Sequence, residues 1–227
     1  MGLLTILRKV RGIDRILLLY SHTVCMYSSI YLQSQSCILL PINIILHHLQ
    51  VKEEEKEIRI LILGLDNSGK TTSLKKLSGQ PIDKIEPTLG FNIQTLEHSD
   101  YRLNLWDIGG QSTIRAYWRN YFEKTDGIIW VVDSSDVARM DLCRQELASL
   151  LQQERLAGAS LLVFANKQDM VGSLSAEDIS IRLGLQGQQF ENRHWSIHPC
   201  SATTGQGLAD GMDWLVDDIS SRIFVLN

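Results

Sequence analysis

The stretch "EIRILILGLDNSGKTTSLKKLSG" (57–79) constrains the fold of this chain more than any other. Its first part is a short run rich in isoleucine and leucine, the pattern of a buried strand, and its last part is helical. Between them lies "GLDNSGKT" (64–71), which matches G-x-x-x-x-G-K-[ST]. A strand that turns through glycines into a helix aims consecutive backbone N–H groups and the positive end of the helix at one point, which suits a phosphate. Gly64 and Gly69 let the backbone wrap that phosphate. Lys70 is expected to reach β- and γ-phosphates, and the Thr71 hydroxyl to ligate Mg²⁺. Gly64, Leu65, Asp66, Asn67, Ser68, Gly69, Lys70, Thr71 and Thr72 are therefore candidate nucleotide-binding residues.

From Glu57 onward, strand and helix patterns alternate. "FNIQTLEH" and "YRLNLWD" flank a Ser99-Asp100 turn and read as a hairpin. "GIIWVVD" (127–133) and "SLLVFANK" (160–167) are unbroken apolar runs of strand length, as strands buried on both faces require. A helical stretch with Leu142, Leu147, Leu150 and Leu151 separates them, "HWSIHPC" offers a last strand, and "LADGMDWLVDDISSRIF" a closing helix. The expected architecture is α/β: a mostly parallel six-stranded sheet with helices on both faces and one antiparallel edge strand.

Two further motifs fall at the ends of these strands. "WDIGGQ" (106–111) places Asp107 where a carboxylate would hold Mg²⁺ through water, Gly110 where a backbone N–H would meet a γ-phosphate, and Gln111 where it would orient the attacking water. Alone, the D-x-G-G pattern would read as an Asx turn. Thr88, in "EPTLGFN", offers a second hydroxyl for Mg²⁺. "NKQD" (166–169) concerns the base. The Asp169 carboxylate can accept from both N1–H and the exocyclic amine of guanine, a donor pair that adenine lacks. Asn166 and Lys167 would pack around the ring and the phosphate loop, and "CSATTG" supplies the backbone of Ala202 for the guanine oxygen, with Ser201 beside it as a further nucleotide-binding candidate.

With these motifs the chain resembles the small GTPases of the Arf/Arf-like branch, through "MGLLTILRKVR", "GLDNSGKTT", "PTLGFNIQTLEH", "LNLWDIGGQ" and "YWRNYFEKTDGIIWVVDSSD". "ERLAGASLLVFANKQD" and "DWLVDDISSRIF" carry it further, so that it covers nearly everything outside residues 12–51. The resemblance implies a P-loop GTPase fold and a GDP/GTP switch with Mg²⁺. It also implies an amphipathic N-terminal helix (1–11) that lies against the hairpin in the GDP form and is expelled when GTP makes the hairpin slide. Phe91, Trp106 and Tyr121 match an aromatic triad read by effectors. The implied partners are a GTPase-activating protein, an exchange factor, effectors, tubulin-folding cofactors and carriers of lipidated cargo. The implied location is the cytoplasm, or the periphery of membranes or the cytoskeleton. No arginine stands in the phosphate loop, so slow intrinsic hydrolysis is expected, a partner's arginine being worth about 10³–10⁵ in rate in Ras, the reference case. A nucleotide-dependent scaffold with negligible hydrolysis would share every binding motif, and a small-molecule or nucleotide kinase would share the P-loop but have no use for NKQD.

Composition excludes other classes. A net charge of -4 gives no basic field for nucleic acid. Cys25, Cys37, Cys143 and Cys200 are scattered, without metal spacing, and read as reduced thiols. Gly2 invites comparison with a myristoylation signal, but Ile6 stands where Ser or Thr is wanted. Between Arg15 and Lys52 the chain carries no charged residue. His22, several serines, Pro41 and Asn43 interrupt that segment, whereas a membrane span wants about 20 apolar residues. Membrane contact is therefore expected to be weak or absent. Removing residues 12–51 joins "MGLLTILRKVR" to "KEEEKEIRILILG" as a continuous helix, linker and strand. The segment reads as an insertion, poorly packed or disordered, ahead of a GTPase domain at 52–227.

Overall fold

The computed structural model describes residues 56–223; the expected N-terminal helix and the inserted segment lie outside the described residues. Six strands form one sheet in the order β2-β3-β1-β4-β5-β6. They are β1 (Lys56–Leu63), β2 (Phe91–His98), β3 (Tyr101–Ile108), β4 (Gly127–Asp133), β5 (Ser160–Asn166) and β6 (Trp195–Pro199). Every pairing is parallel except β2 with β3, where Phe91 faces Ile108 and His98 faces Tyr101 around the expected Ser99-Asp100 turn. β2 is the antiparallel one of the two edge strands, and its alternation of exposed and half-buried residues reflects that position.

The period of two along the central strands divides the core into two layers. Leu61 and Leu63 of β1 join Trp130 of β4 and Val163 of β5 on one face. Helices α3 (Met140–Leu151) and α4 (Ala176–Leu183) cover that face through Met140, Leu147, Ile179 and Leu183. Ile60 and Ile62 turn the other way with Ile129 and Phe164. There α1 (Lys70–Leu77) and α5 (Leu208–Ile223) cover them through Leu74, Met212, Leu215 and Ile219. β4 and β5 are buried at every position, as expected for strands between two helical layers. A four-residue helix, α2 (Ser112–Arg115), follows β3 and contributes no buried residue.

Helix α4 was not evident from apolar spacing alone. Its ends nevertheless carry local signals. Ser175 accepts from the Asp178 N–H as N-cap, and Gly184 closes the helix at φ 72°. Among the described residues no helix is long and apolar enough to cross a membrane.

Candidate functional site

All motif residues gather at the carboxyl ends of the parallel strands, where an open α/β sheet leaves a crevice. Its phosphate end is a cavity of about 300 Å³ whose lining includes Asp66, Lys70, Thr71, Thr88, Gly110 and Gln111. The loop between β1 and α1 supports close backbone approach in two places. Gly69 has φ 96°, and a Cβ there would lie 2.2 Å from Asn166 Nδ2; at Gly110 a Cβ would lie 2.4 Å from the Gly64 carbonyl and 2.5 Å from Lys70 Nζ.

Lys70 is buried, and its Nζ donates to the carbonyls of Gly64 (3.0 Å) and Leu65 (2.8 Å). Burial pushes its ammonium down to about 8, against the pull of Asp107 and Asp66. Asp107 is fully buried at the end of β3. Burial pushes its carboxyl up, opposed by the Thr71 hydroxyl bond and the charge of Lys70. Thr71 Oγ1 donates to Asp107 Oδ2 at 2.6 Å and lies 2.8 Å from Thr88 Oγ1. Asp107 Oδ1 is buried without a hydrogen-bond partner. Three hard oxygen donors, one holding an unsatisfied lone-pair site, fit a hard divalent cation such as Mg²⁺.

Asn166 joins the end of β5 to the loop between β1 and α1 and to the loop after β6. Its Nδ2 donates to the Ser68 carbonyl at 2.7 Å, and its Oδ1 accepts from the Ala202 N–H at 2.9 Å. Lys167, at φ 69°, swings its ammonium to Asp133 Oδ2 at 2.5 Å. Asp169 is exposed, and Thr203 Oγ1 donates to it at 3.2 Å. The Ser201 hydroxyl, aided by a backbone bond and by Thr203 and opposed by slight burial, holds its carboxyl below the usual range, so it stays an acceptor.

Away from the cavity, Phe91, Trp106 and Tyr121 pack together with ring centroids 5.3–6.0 Å apart, and Phe91 is 49% exposed. The Arg59 guanidinium lies 4.0 Å from the Trp106 ring centroid, a cation–π contact under the triad.

The profile described as the ADP-ribosylation factor family (Arf) matches residues 43–219. The chain belongs to the ADP-ribosylation factor family. Within that family it is 59% identical over 178 residues to ADP-ribosylation factor-like protein 2 of Dictyostelium discoideum, covering 78% of this chain and 96% of the relative. The protein of the same name from Drosophila melanogaster is 57% identical over the same shares. ADP-ribosylation factor-like protein 3 of Chlamydomonas reinhardtii is 51% identical, over 74% of this chain and 94% of the relative. Among solved structures, the Arl6 (BBS3) small GTPase of Trypanosoma brucei, bound to the nucleotide analogue GppNp, superposes with a TM-score of 0.68 at 30% identity. That match covers 73% of this chain and 99% of the other. As an Arf-family member the chain is a small GTPase, a GTP-binding switch that hydrolyses its nucleotide.

Sequence motifs missed the ionic collar around Asp66. Arg115 Nη2 lies 3.3 Å from Asp66 Oδ1, and Arg139 Nη1 lies 3.1 Å from Oδ2. No arginine is in the phosphate loop itself, yet two from later elements compensate its carboxylate. Their separations in sequence from Asp66, 49 and 73 residues, leave no local signal.

Proposed function

We propose that this Arf-family GTPase is a Mg²⁺-dependent switch in which Gly64–Thr72 cradle the phosphates, Asn166, Lys167, Asp169, Ser201 and Ala202 hold guanine, and Gln111 orients water. The observation that carries the reading is the convergence of the Thr71 and Thr88 hydroxyls, which line one cavity together with Lys70, on the buried Asp107 carboxylate. Thr71 and Thr88 would hold the cation directly, and Asp107 through water. The bound cation would neutralise charge developing on the β- and γ-phosphate oxygens.

The chain's own groups then divide the work. Lys70, its charge disfavoured by burial, regains stability beside phosphate oxygens. Gly110, packed against Lys70 without room for a Cβ, brings its N–H to the γ-phosphate. Gln111 orients the attacking water, while Asp169 selects guanine because two donors of the base meet one carboxylate.

Thr88 lies three residues before the start of β2, so a nucleotide-dependent contact at Thr88 is transmitted to the hairpin and to Phe91, Trp106 and Tyr121, the surface for effectors. A hairpin that slides along β1 must move by an even number of residues. A single step would turn Leu103 and Leu105 from core to solvent. By resemblance, the effectors include tubulin-folding cofactors and lipidated-cargo carriers, reached in the cytoplasm or at the periphery of membranes and the cytoskeleton. Residues 52–227 form the GTPase domain in this reading, with residues 1–11 as the switchable helix and 12–51 as an insertion.

Single-turnover hydrolysis of bound GTP, with and without an activating protein, tests the proposal. Slow turnover accelerated by the activator supports a switch. Turnover indistinguishable from zero under both conditions would leave a scaffold.

A further inference from the structure

Three consecutive peptides between β3 and α2 are each held by a bond from elsewhere. The Gly109 N–H donates to the Gly90 carbonyl at 2.9 Å. The Gly109 carbonyl accepts from Trp118 Nε1 at 3.0 Å, and the Gly110 carbonyl accepts from Arg115 Nε at 2.8 Å. A trans peptide is planar, with its N–H opposite its C=O. Fixing the Gly109 carbonyl therefore fixes the direction of the Gly110 N–H, and fixing the Gly110 carbonyl fixes the start of Gln111.

The two donors are anchored differently. Trp118 is buried and meets Trp130 edge-on, centroids 5.9 Å apart, so its indole is part of the core. Arg115 sits on α2, a helix with no buried residue and with Gln111 as its N-cap. Its guanidinium nevertheless is only 11% exposed and spans three acceptors: the Gly110 carbonyl, Asp66 in the phosphate loop and Glu146 on α3 at 2.9 Å. With so little apolar burial along α2, these three bonds are a main anchorage of the segment that carries Gln111. A planar fork can serve three acceptors in fixed directions; a lysine ammonium in the same place cannot.

We propose that Arg115 and Trp118 are positioning residues for GTP hydrolysis, fixing the two peptide planes around Gly110 so that its N–H and Gln111 are held toward the phosphate cavity. Trp118 supplies the rigid half from the core. Arg115 supplies the half that couples the loop to the phosphate loop and to α3. This rests on the reading of Gly110 and Gln111 given above.

The test compares Arg115→Ala and Arg115→Lys with the parent full-length chain, measuring GDP affinity and single-turnover hydrolysis of bound GTP in Mg²⁺. GDP lacks the γ-phosphate and Arg139 still compensates Asp66, so GDP affinity should fall far less than the hydrolysis rate. An oriented donor at developing charge is worth about 10²–10³ in rate, and a loosened one should cost roughly 10-fold or more in both variants. Failure of lysine to rescue separates the directed fork from a mere ion pair. Should the alanine variant not retain GDP, the lysine variant carries the test. Parent-like hydrolysis in Arg115→Lys, or rate losses matched by equal losses of GDP affinity, would overturn the inference. A parent that binds GTP without turning it over would instead overturn the proposed function, and this inference with it.

Discussion

The Thr71 hydroxyl donates to the Asp107 carboxylate at 2.6 Å, joining a residue that lines the cavity to a fully buried one 36 positions away. One comes from the start of α1 and the other from the end of β3, so the contact exists only once β1 and β3 have paired in register. It marks the point where the fold becomes chemistry.

Lys70→Ala and Thr71→Asn should each weaken Mg²⁺-dependent GTP binding by about 100-fold, the equivalent of a charge-assisted bond worth roughly 3 kcal/mol. Equilibrium binding with Mg²⁺ and with a chelator checks this. GTP affinity equal to the parent's in either variant would remove the phosphate-site assignment.

Asp169→Asn should exchange base preference rather than merely lose it. A carboxylate offers two acceptors to the N1–H and amine of guanine, whereas an amide offers one acceptor and one donor, matching the N1–H and 2-carbonyl of xanthine. GDP affinity should fall by roughly 30-fold or more, at about 2–3 kcal/mol for a charged hydrogen bond, and xanthosine diphosphate affinity should rise. Unchanged GDP affinity would sink the assignment of NKQD to the base.

Much of this was legible in the sequence, and the boundary has a physical cause. Motif residues were readable because their spacing is local: GLDNSGKT is one turn, WDIGGQ one strand end, and NKQD another. Buried strands announced themselves because β4 and β5 are apolar on both faces. Arg115, Arg139, Trp118 and Thr203 were not readable as site residues. Each acts through a side-chain bond to a loop that folding brings near, and nothing beside Arg115 in sequence says that it will meet Gly110 and Asp66. Leu142 shows the opposite error of pattern reading. Its spacing suits the apolar face of α3, yet it is 37% exposed.

The buried thiols offer a pH prediction. Burial pushes Cys143 up from 9.0 to about 11 and Cys200 from 9.0 to about 12. Below pH 9 both states keep these protons, so stability is unaffected by them. Above it the unfolded chain loses protons that the folded chain retains, and stability should fall as pH rises through 9 to about 11. At pH 8, iodoacetamide followed by mass spectrometry should leave both residues unlabelled in the folded protein. Rapid labelling of either would contradict their burial.

Deleting residues 12–51 should leave GDP affinity unchanged, because every proposed site residue lies at Gly64 or later and the described sheet begins at Lys56. The shortened chain should also be more soluble, having lost a long uncharged stretch. A large fall in GDP affinity on deletion would make the segment part of the nucleotide domain.

In the proposed mechanism Gln111 turns a guanine-nucleotide site into a timed switch. Single-turnover hydrolysis of GTP by Gln111→Leu and by the parent, with an activating protein present and nucleotide affinity measured in parallel, addresses it most directly. The expected result is GTP affinity close to the parent's with hydrolysis slowed by about 10-fold or more, since the apolar side chain cannot orient water. Equal turnover by mutant and parent would contradict it.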